Sequence, residues 1–140
     1  ACYKALLNAG VSNTQAIALV EQEMCKSAER MASLCSKLSN KSYAYPLFQT
    51  LFGLGMKFGY PKEGWTVEPL KKSKERIRFN MISCLYCEEL EKRGALELYP
   101  AFCQTDHTTY DPLSPAVVFK RETTLAKGGK QCDFCFERGK

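Results

Sequence analysis

Residues 117–136 read VVFKRETTLAKGGKQCDFCF, and the reading of this stretch decides the fold. Gly128-Gly129 divides two alternating runs, and paired glycines supply the positive φ angles of a tight hairpin turn. Pairing across that turn sets Leu125 opposite Cys132, Thr123 opposite Phe134 and Arg121 opposite Phe136. With Phe119, these residues share one face. The other face carries Thr124 with Asp133, Glu122 with Cys135 and Lys120 with Glu137, which includes an opposite-charge pair and reads as solvated. The first face therefore points at the core, and it takes Arg121 with it. A guanidinium among aromatic rings is costly unless an anion meets it. A protein carboxylate or a ligand is expected there.

Upstream, residues 75–83 form a second alternating run. Ile77, Phe79 and Met81 face one way, and Arg76, Arg78 and Asn80 the other. Trp65 and Val67 alternate before it, with Pro69 marking a sheet edge or a strand end. Residues 84–93 read as a helix stopped by Gly94. Helix then continues from Ala95 with Leu96, Tyr99 and Phe102 as apolar contacts, until Asp111-Pro112 and Ser114-Pro115 break the chain. At the start, residues 2–9 suit a short helix, and Ser12 with Gln15 has the capping-box form. Ile17, Val20, Met24, Ala28, Met31, Cys35 and Leu38 then draw one apolar stripe along a long helix. Pro46 opens a further helix, to Phe58, that is apolar around much of its girth. There Gly53 and Gly55 weaken the helix but let a neighbour approach closely, and a homodimer face is one use for it. Residues 59–64, GYPKEG, link this part to the strands. The expected order is α-α-β-β-α-α-β-β. That is an α+β fold, an antiparallel four-stranded sheet from two β-hairpins with helices packed on one face. One domain is expected over residues 1–140, helical over 1–60 and holding the hairpins and intervening helices over 64–140.

The net charge is +5, from 20 basic and 15 acidic residues. Its densest basic stretch, Lys71 to Arg78, has no interleaved aromatics and reads as a solvated hairpin tip, so no nucleic acid is expected as partner. No apolar run approaches the roughly 20 residues that span a membrane. The opening ACYKALLNAG lacks the layout of a secretory signal, which leads to the expectation of a cytoplasmic protein. Eight cysteines, at 2, 25, 35, 84, 87, 103, 132 and 135, then suggest free thiols, a metal or a nucleophile rather than disulfides.

Three groups carry candidate chemistry. Cys84 falls where a strand ends and a helix begins, and a helix N-terminus stabilises a thiolate; it is a nucleophile or a small core residue. Cys103, Asp106 and His107 place a thiol, a carboxylate and an imidazole within five residues, with Asp106 or His107 as general base. Cys84-Leu-Tyr-Cys87 and Cys132-Asp-Phe-Cys135 together have the CxxC…CxxC form of a zinc site. Yet the intervening run is long, and Cys132 and Cys135 fall on opposite faces of the strand drawn above. No metal is expected; if one binds, Cys84, Cys87, Cys132 and Cys135 are its ligands.

The stretch RFNMISCLYCEELEKRGALELYPAFCQTDHTTYDPLSPAVVFKRETTLAKGGKQCDFCFE resembles the L-2-amino-thiazoline-4-carboxylic acid hydrolase family. The matching features are Asn80 and Cys84 in FNMISC, Gly94, Cys103 and Asp106 in CQTD, and the run from Arg121 to Phe134. LLNAGVSNTQAIALVEQEM near the start is similar to that family's opening helices. The resemblance implies a hydrolase that opens the ring of 2-amino-Δ2-thiazoline-4-carboxylate at a C–N or C–S bond, on a bacterial route to L-cysteine. It implies that Cys84 attacks the amidine-like carbon or that Asp106 activates water, with Cys103 beside them. Arg121 would hold the substrate carboxylate in a bidentate pair, with Asn80, Thr123, Cys132 and Asp133 around the substrate. Cys87, His107 and Cys135 lie outside the motifs and leave room for a metal or redox role. The competing expectation is a non-catalytic, sensor-like module that binds a small ligand or a metal through the cysteine cluster.

Overall fold

In a computed structural model describing residues 2–59 and 63–139, apart from the side chains of residues 57 and 59, the two alternating runs pair into one antiparallel sheet. Residues 60–62 of the GYPKEG link lie outside the described residues. The strands are β1 (Trp65–Val67), β2 (Lys71–Lys72), β3 (Arg76–Cys84), β4 (Val117–Lys120) and β5 (Cys132–Arg138). The sheet runs β1-β3-β5-β4, with β2 also paired to β3. Five strands thus replace the expected four. Pro69 is the physical reason: with no N–H to give, it interrupts the edge strand, which ends at Val67 and resumes at Lys71.

Three helices precede the sheet, one more than the order α-α-β-β-α-α-β-β counts because the short opening helix stands as an element of its own: α1 (Cys2–Asn8), α2 (Asn13–Leu38) and α3 (Ala44–Gly59). Ser12 caps α2 by accepting the Gln15 N–H, and its hydroxyl donates to the Gln15 side chain. The cap thus forms with Gln15 meeting the Ser12 hydroxyl in place of the backbone N–H of a full capping box. Two more helices, α4 (Leu85–Lys92) and α5 (Tyr99–Tyr110), lie between β3 and β4. Leu98, in the tight turn that leads into α5, takes the buried place expected of Leu96.

The helices cover one face of the sheet. Phe48 and Phe52 of α3 lie 4.9 and 4.8 Å from Phe136, and Tyr110 of α5 packs edge-on against the same ring at 5.0 Å. Phe79 stacks on Phe134 at 4.6 Å. Ile77, Phe79 and Met81 are buried as their alternation requires, whereas Arg76 and Arg78 are exposed on the far face. This is an α+β fold. The neighbour that approaches Gly53 is the Lys72 side chain, which crosses α3 and donates to the Gln49 carbonyl. On the outer side of α3, Leu51, Leu54 and Phe58 are exposed. Among the described residues, no helix is long and apolar enough to cross a membrane.

The closing pair differs from the Gly-Gly hairpin. Phe119 pairs with Phe136 and Lys120 with Cys135, a slip of two residues from the expected register. β4 stops at Lys120, and residues 121–131 form a connector holding a 3-10 turn, Leu125–Lys127, closed by Gly128 at φ +79°. Asp133 explains the difference. One oxygen of its carboxylate accepts the backbone N–H groups of Glu122 and Thr123, at 3.1 and 2.6 Å, and the Thr123 hydroxyl at 3.0 Å. Donors that would have extended the ladder are thus taken by a side chain. A slip of two leaves every residue on its expected face, since the side-chain period is two. Lys120 and Glu137 still form an ion pair, now diagonal.

Candidate active site

Strict alternation along β3 would put Ser83 on the core face and Cys84 on the outer one. A β-bulge reverses them. Thr66 pairs with Ser83 and Val67 with Met81, so Ile82 is an extra residue on β3. The Thr66 N–H goes to the Ser83 hydroxyl at 3.0 Å, which pins the bulge from the neighbouring strand. Ile82 is consequently exposed and Cys84 is buried. Cys84 is also the N-cap residue of α4, in extended conformation, and its side chain makes no capping bond. The thiol lies at the N-terminal end of α4, beside the Tyr99 hydroxyl.

α5 supplies the facing wall. Tyr99, Phe102, Cys103 and Asp106 recur at three- and four-residue steps and line one cavity of about 60 Å³. Cys84, Cys132, Arg121, Met81 and Phe134 close it, with Trp65, Tyr86 and Thr105. Trp65 meets Tyr86 edge-on at 5.7 Å and Tyr86 meets Phe102 at 5.1 Å; Tyr86 is exposed, so aromatic rings form the rim.

Arg121 has found its anion within the protein. Its side chain is 3% exposed, pairs with Asp106 and donates to the Cys103 carbonyl at 2.9 Å. The guanidinium lies over Phe119 and Phe134, 5.7 and 5.2 Å from the ring centres. One Asp106 oxygen is held in this way, and no hydrogen bond among the described residues engages the other. Burial pushes the Asp106 pKa up; Arg121 pulls it down but does not prevail. Burial also pushes Cys103 up to about 12, against the opposing pull of Arg121, so this thiol keeps its proton at neutral pH. Cys132 is raised by burial too, opposed by the Leu125 N–H that donates to its sulfur at 3.3 Å and by Arg121. Tyr99 is raised by burial first, then by the Cys84 thiol beside it, and its hydroxyl makes no hydrogen bond of ordinary geometry among the described residues.

Cys84, Cys103, Asp106, Arg121 and Cys132 therefore line one cavity. Asn80, Thr123 and Asp133 do not join them. Asn80 and Asp133 sit opposite each other on the far face of the sheet; Asn80 donates to Glu68 at 2.6 Å, while Asp133 clasps the connector. Thr123 is exposed and bonds to Asp133 and the Gln131 carbonyl. His107 leans on Phe119 at 5.0 Å and meets Asp111, not the cavity. Among the described residues, no three His, Cys, Asp or Glu side chains are grouped to hold a metal. Cys132 is buried on the core face while Cys135 lies on the other, so the CxxC…CxxC set is not assembled. The sequence reading took Tyr99 as an apolar contact of its helix and not as a site residue. At helical spacing a tyrosine looks like any core aromatic, and only its unpartnered hydroxyl sets it apart.

The family model for L-2-amino-thiazoline-4-carboxylic acid hydrolase matches residues 1–136. Among curated proteins, none matches the chain.

Proposed function

We propose a function from one premise: the chain belongs to the L-2-amino-thiazoline-4-carboxylic acid hydrolase family. The reading is a hydrolase that opens a small cyclic carboxylate of the 2-amino-thiazoline-4-carboxylate type. The observation that carries it is the Cys84 thiol, turned inward by the Ile82 bulge into a cavity that also holds Asp106. Cys84 acts as nucleophile. Its thiolate forms a bond to the ring carbon bearing the amino group, and the C=N pair moves onto nitrogen. The breaking ring bond leaves its electrons on the departing nitrogen or sulfur, which takes up a proton. Water, activated by the free oxygen of Asp106, then adds to the same carbon, and the Cys84 thiolate is expelled. A raised pKa suits Asp106 to this task, because a base is most effective when its pKa lies near the working pH.

Arg121 holds Asp106 rather than the substrate. With its charge already matched, a second carboxylate inside the cavity would face Asp106 unpaired, so the substrate carboxylate stays at the aromatic rim. A cavity of about 60 Å³ is also far below the roughly 300 Å³ at which ligand pockets begin, so only the reacting end enters unless the rim opens. The test follows loss of thiazoline absorbance with the purified protein. Ring opening should be abolished by Cys84→Ala and reduced at least about 100-fold by Asp106→Asn. Full activity in the double variant would sink this mechanism. Tight ligand binding without turnover by the parent would favour the sensor-like module instead.

A further inference from the structure

Two buried side-chain nitrogen or oxygen atoms lack a hydrogen-bond partner among the described residues: the Tyr99 hydroxyl and Arg121 Nε. Both belong to residues that line the Cys84 cavity. A buried polar group without a partner is costly, and phenylalanine would fill the same space without that cost. Tyr99 is 2% exposed, so its hydroxyl cannot turn to bulk water. It is held at the start of α5, and its ionisation responds to the Cys84, Cys132 and Cys103 thiols, Cys84 foremost. Such a group is a donor awaiting negative charge.

We infer that Tyr99 is a catalytic residue whose hydroxyl donates a hydrogen bond to the charge that develops at Cys84. Before attack, that charge is on the Cys84 sulfur. As the sulfur–carbon bond forms, it passes with the C=N pair to the substrate nitrogen, and the same hydroxyl follows it. No proton leaves Tyr99; the nitrogen takes its proton from water. The deeply buried phenol stays protonated across the working range, which suits a donor and rules out a base. This role rests on the hydrolase reading above, but half of it concerns Cys84 alone and needs no substrate.

Tyr99→Phe tests both halves. Loss of one donor to developing charge should lower kcat for ring opening about 100- to 1000-fold, with KM nearly unchanged. The urea midpoint should stay level or rise, because an unpartnered hydroxyl has been removed. In parallel, alkylation of Cys84 by iodoacetamide, read on the Cys84 peptide by mass spectrometry, should slow at neutral pH. Its pH profile should shift upward, since the thiolate has lost a donor. An unshifted Cys84 profile overturns the inference whether or not the parent turns over the thiazoline. A kcat within twofold of the parent also overturns it, as does a fallen urea midpoint, which would assign the hydroxyl to stability. Failure of the parent to open the ring, with a shifted profile, would instead count against the hydrolase reading while upholding the Tyr99–Cys84 contact.

Discussion

Arg121 and Asp106 lie fifteen positions apart in sequence and form a buried ion pair. Pairs of this kind contribute little net stability when intact, but breaking one leaves a lone charge in the protein. Arg121→Met should therefore cost about 3–5 kcal/mol in urea unfolding. Arg121→Met combined with Asp106→Leu should recover most of that loss, and a double variant no more stable than the single would refute the account. Half of this was legible in the sequence. Alternation placed Arg121 inward and demanded an anion; it could not name Asp106, because a helix face gives no sign of which strand it will meet. Cys103 carries a pH signature. Its folded pKa is raised to about 12 from an ordinary 9.0, so the unfolded chain releases that proton first as pH rises. The sign follows from linkage: stability is complete below about pH 9 and declines between about 9 and 12. Urea midpoints measured across pH 8–11 should fall, and Cys103→Ala should flatten part of the slope.

At the scale of elements, Asp133 shows how a side chain can rewrite a turn. Gly128-Gly129 argued for a two-residue hairpin, and the glycines do enable a turn, with Gly128 at positive φ. The turn closes a 3-10 segment within a longer connector because Asp133 collects three donors from residues 122 and 123. No periodicity reports a carboxylate reaching across a strand, so the register slipped from the reading while the faces did not. Asp133→Ala should destabilise by about 1–3 kcal/mol, the cost of leaving such donors unsatisfied. Hydrogen exchange at the Glu122 and Thr123 amides should quicken well before the β3–β5 amides respond. Equal acceleration throughout the sheet would show that the clasp is not local. The N-terminal elements were easier to read. Capping box and apolar stripe are local signals, and α1 and α2 follow them closely.

Across the whole molecule, the cavity lies at one end of the core and shares Met81, Cys84, Tyr99, Cys132 and Phe134 with it, while Phe136 is not among its walls. The cavity is walled by residues 65–134, while α3 and the centre of the sheet form an aromatic cluster around Phe136, which is 0% exposed. Phe136→Ala should cost about 3–5 kcal/mol of stability. At low temperature, where the protein remains folded, ring opening per folded molecule should stay near the parental rate; its loss would couple core to site. The sequence conveyed the class of the molecule and named five of the twelve residues that line the cavity, Cys84, Cys103, Asp106, Arg121 and Cys132. It did not convey the extra residue at Ile82, since nothing in MISC distinguishes a bulge from a continuing strand. That bulge gives β3 something like a reading frame. The strand is read in steps of two, and one surplus residue decides whether its last letter is spoken inward or outward. Deleting Ile82 therefore removes the surplus letter and keeps the sense, since Met81, Ser83 and Cys84 then alternate inward, outward, inward in one continuous register with Val67, Thr66 and Trp65. The frameshift lies the other way, for Ile82 drawn into the ladder would turn the Ser83 hydroxyl to the cavity and the Cys84 sulfur to solvent.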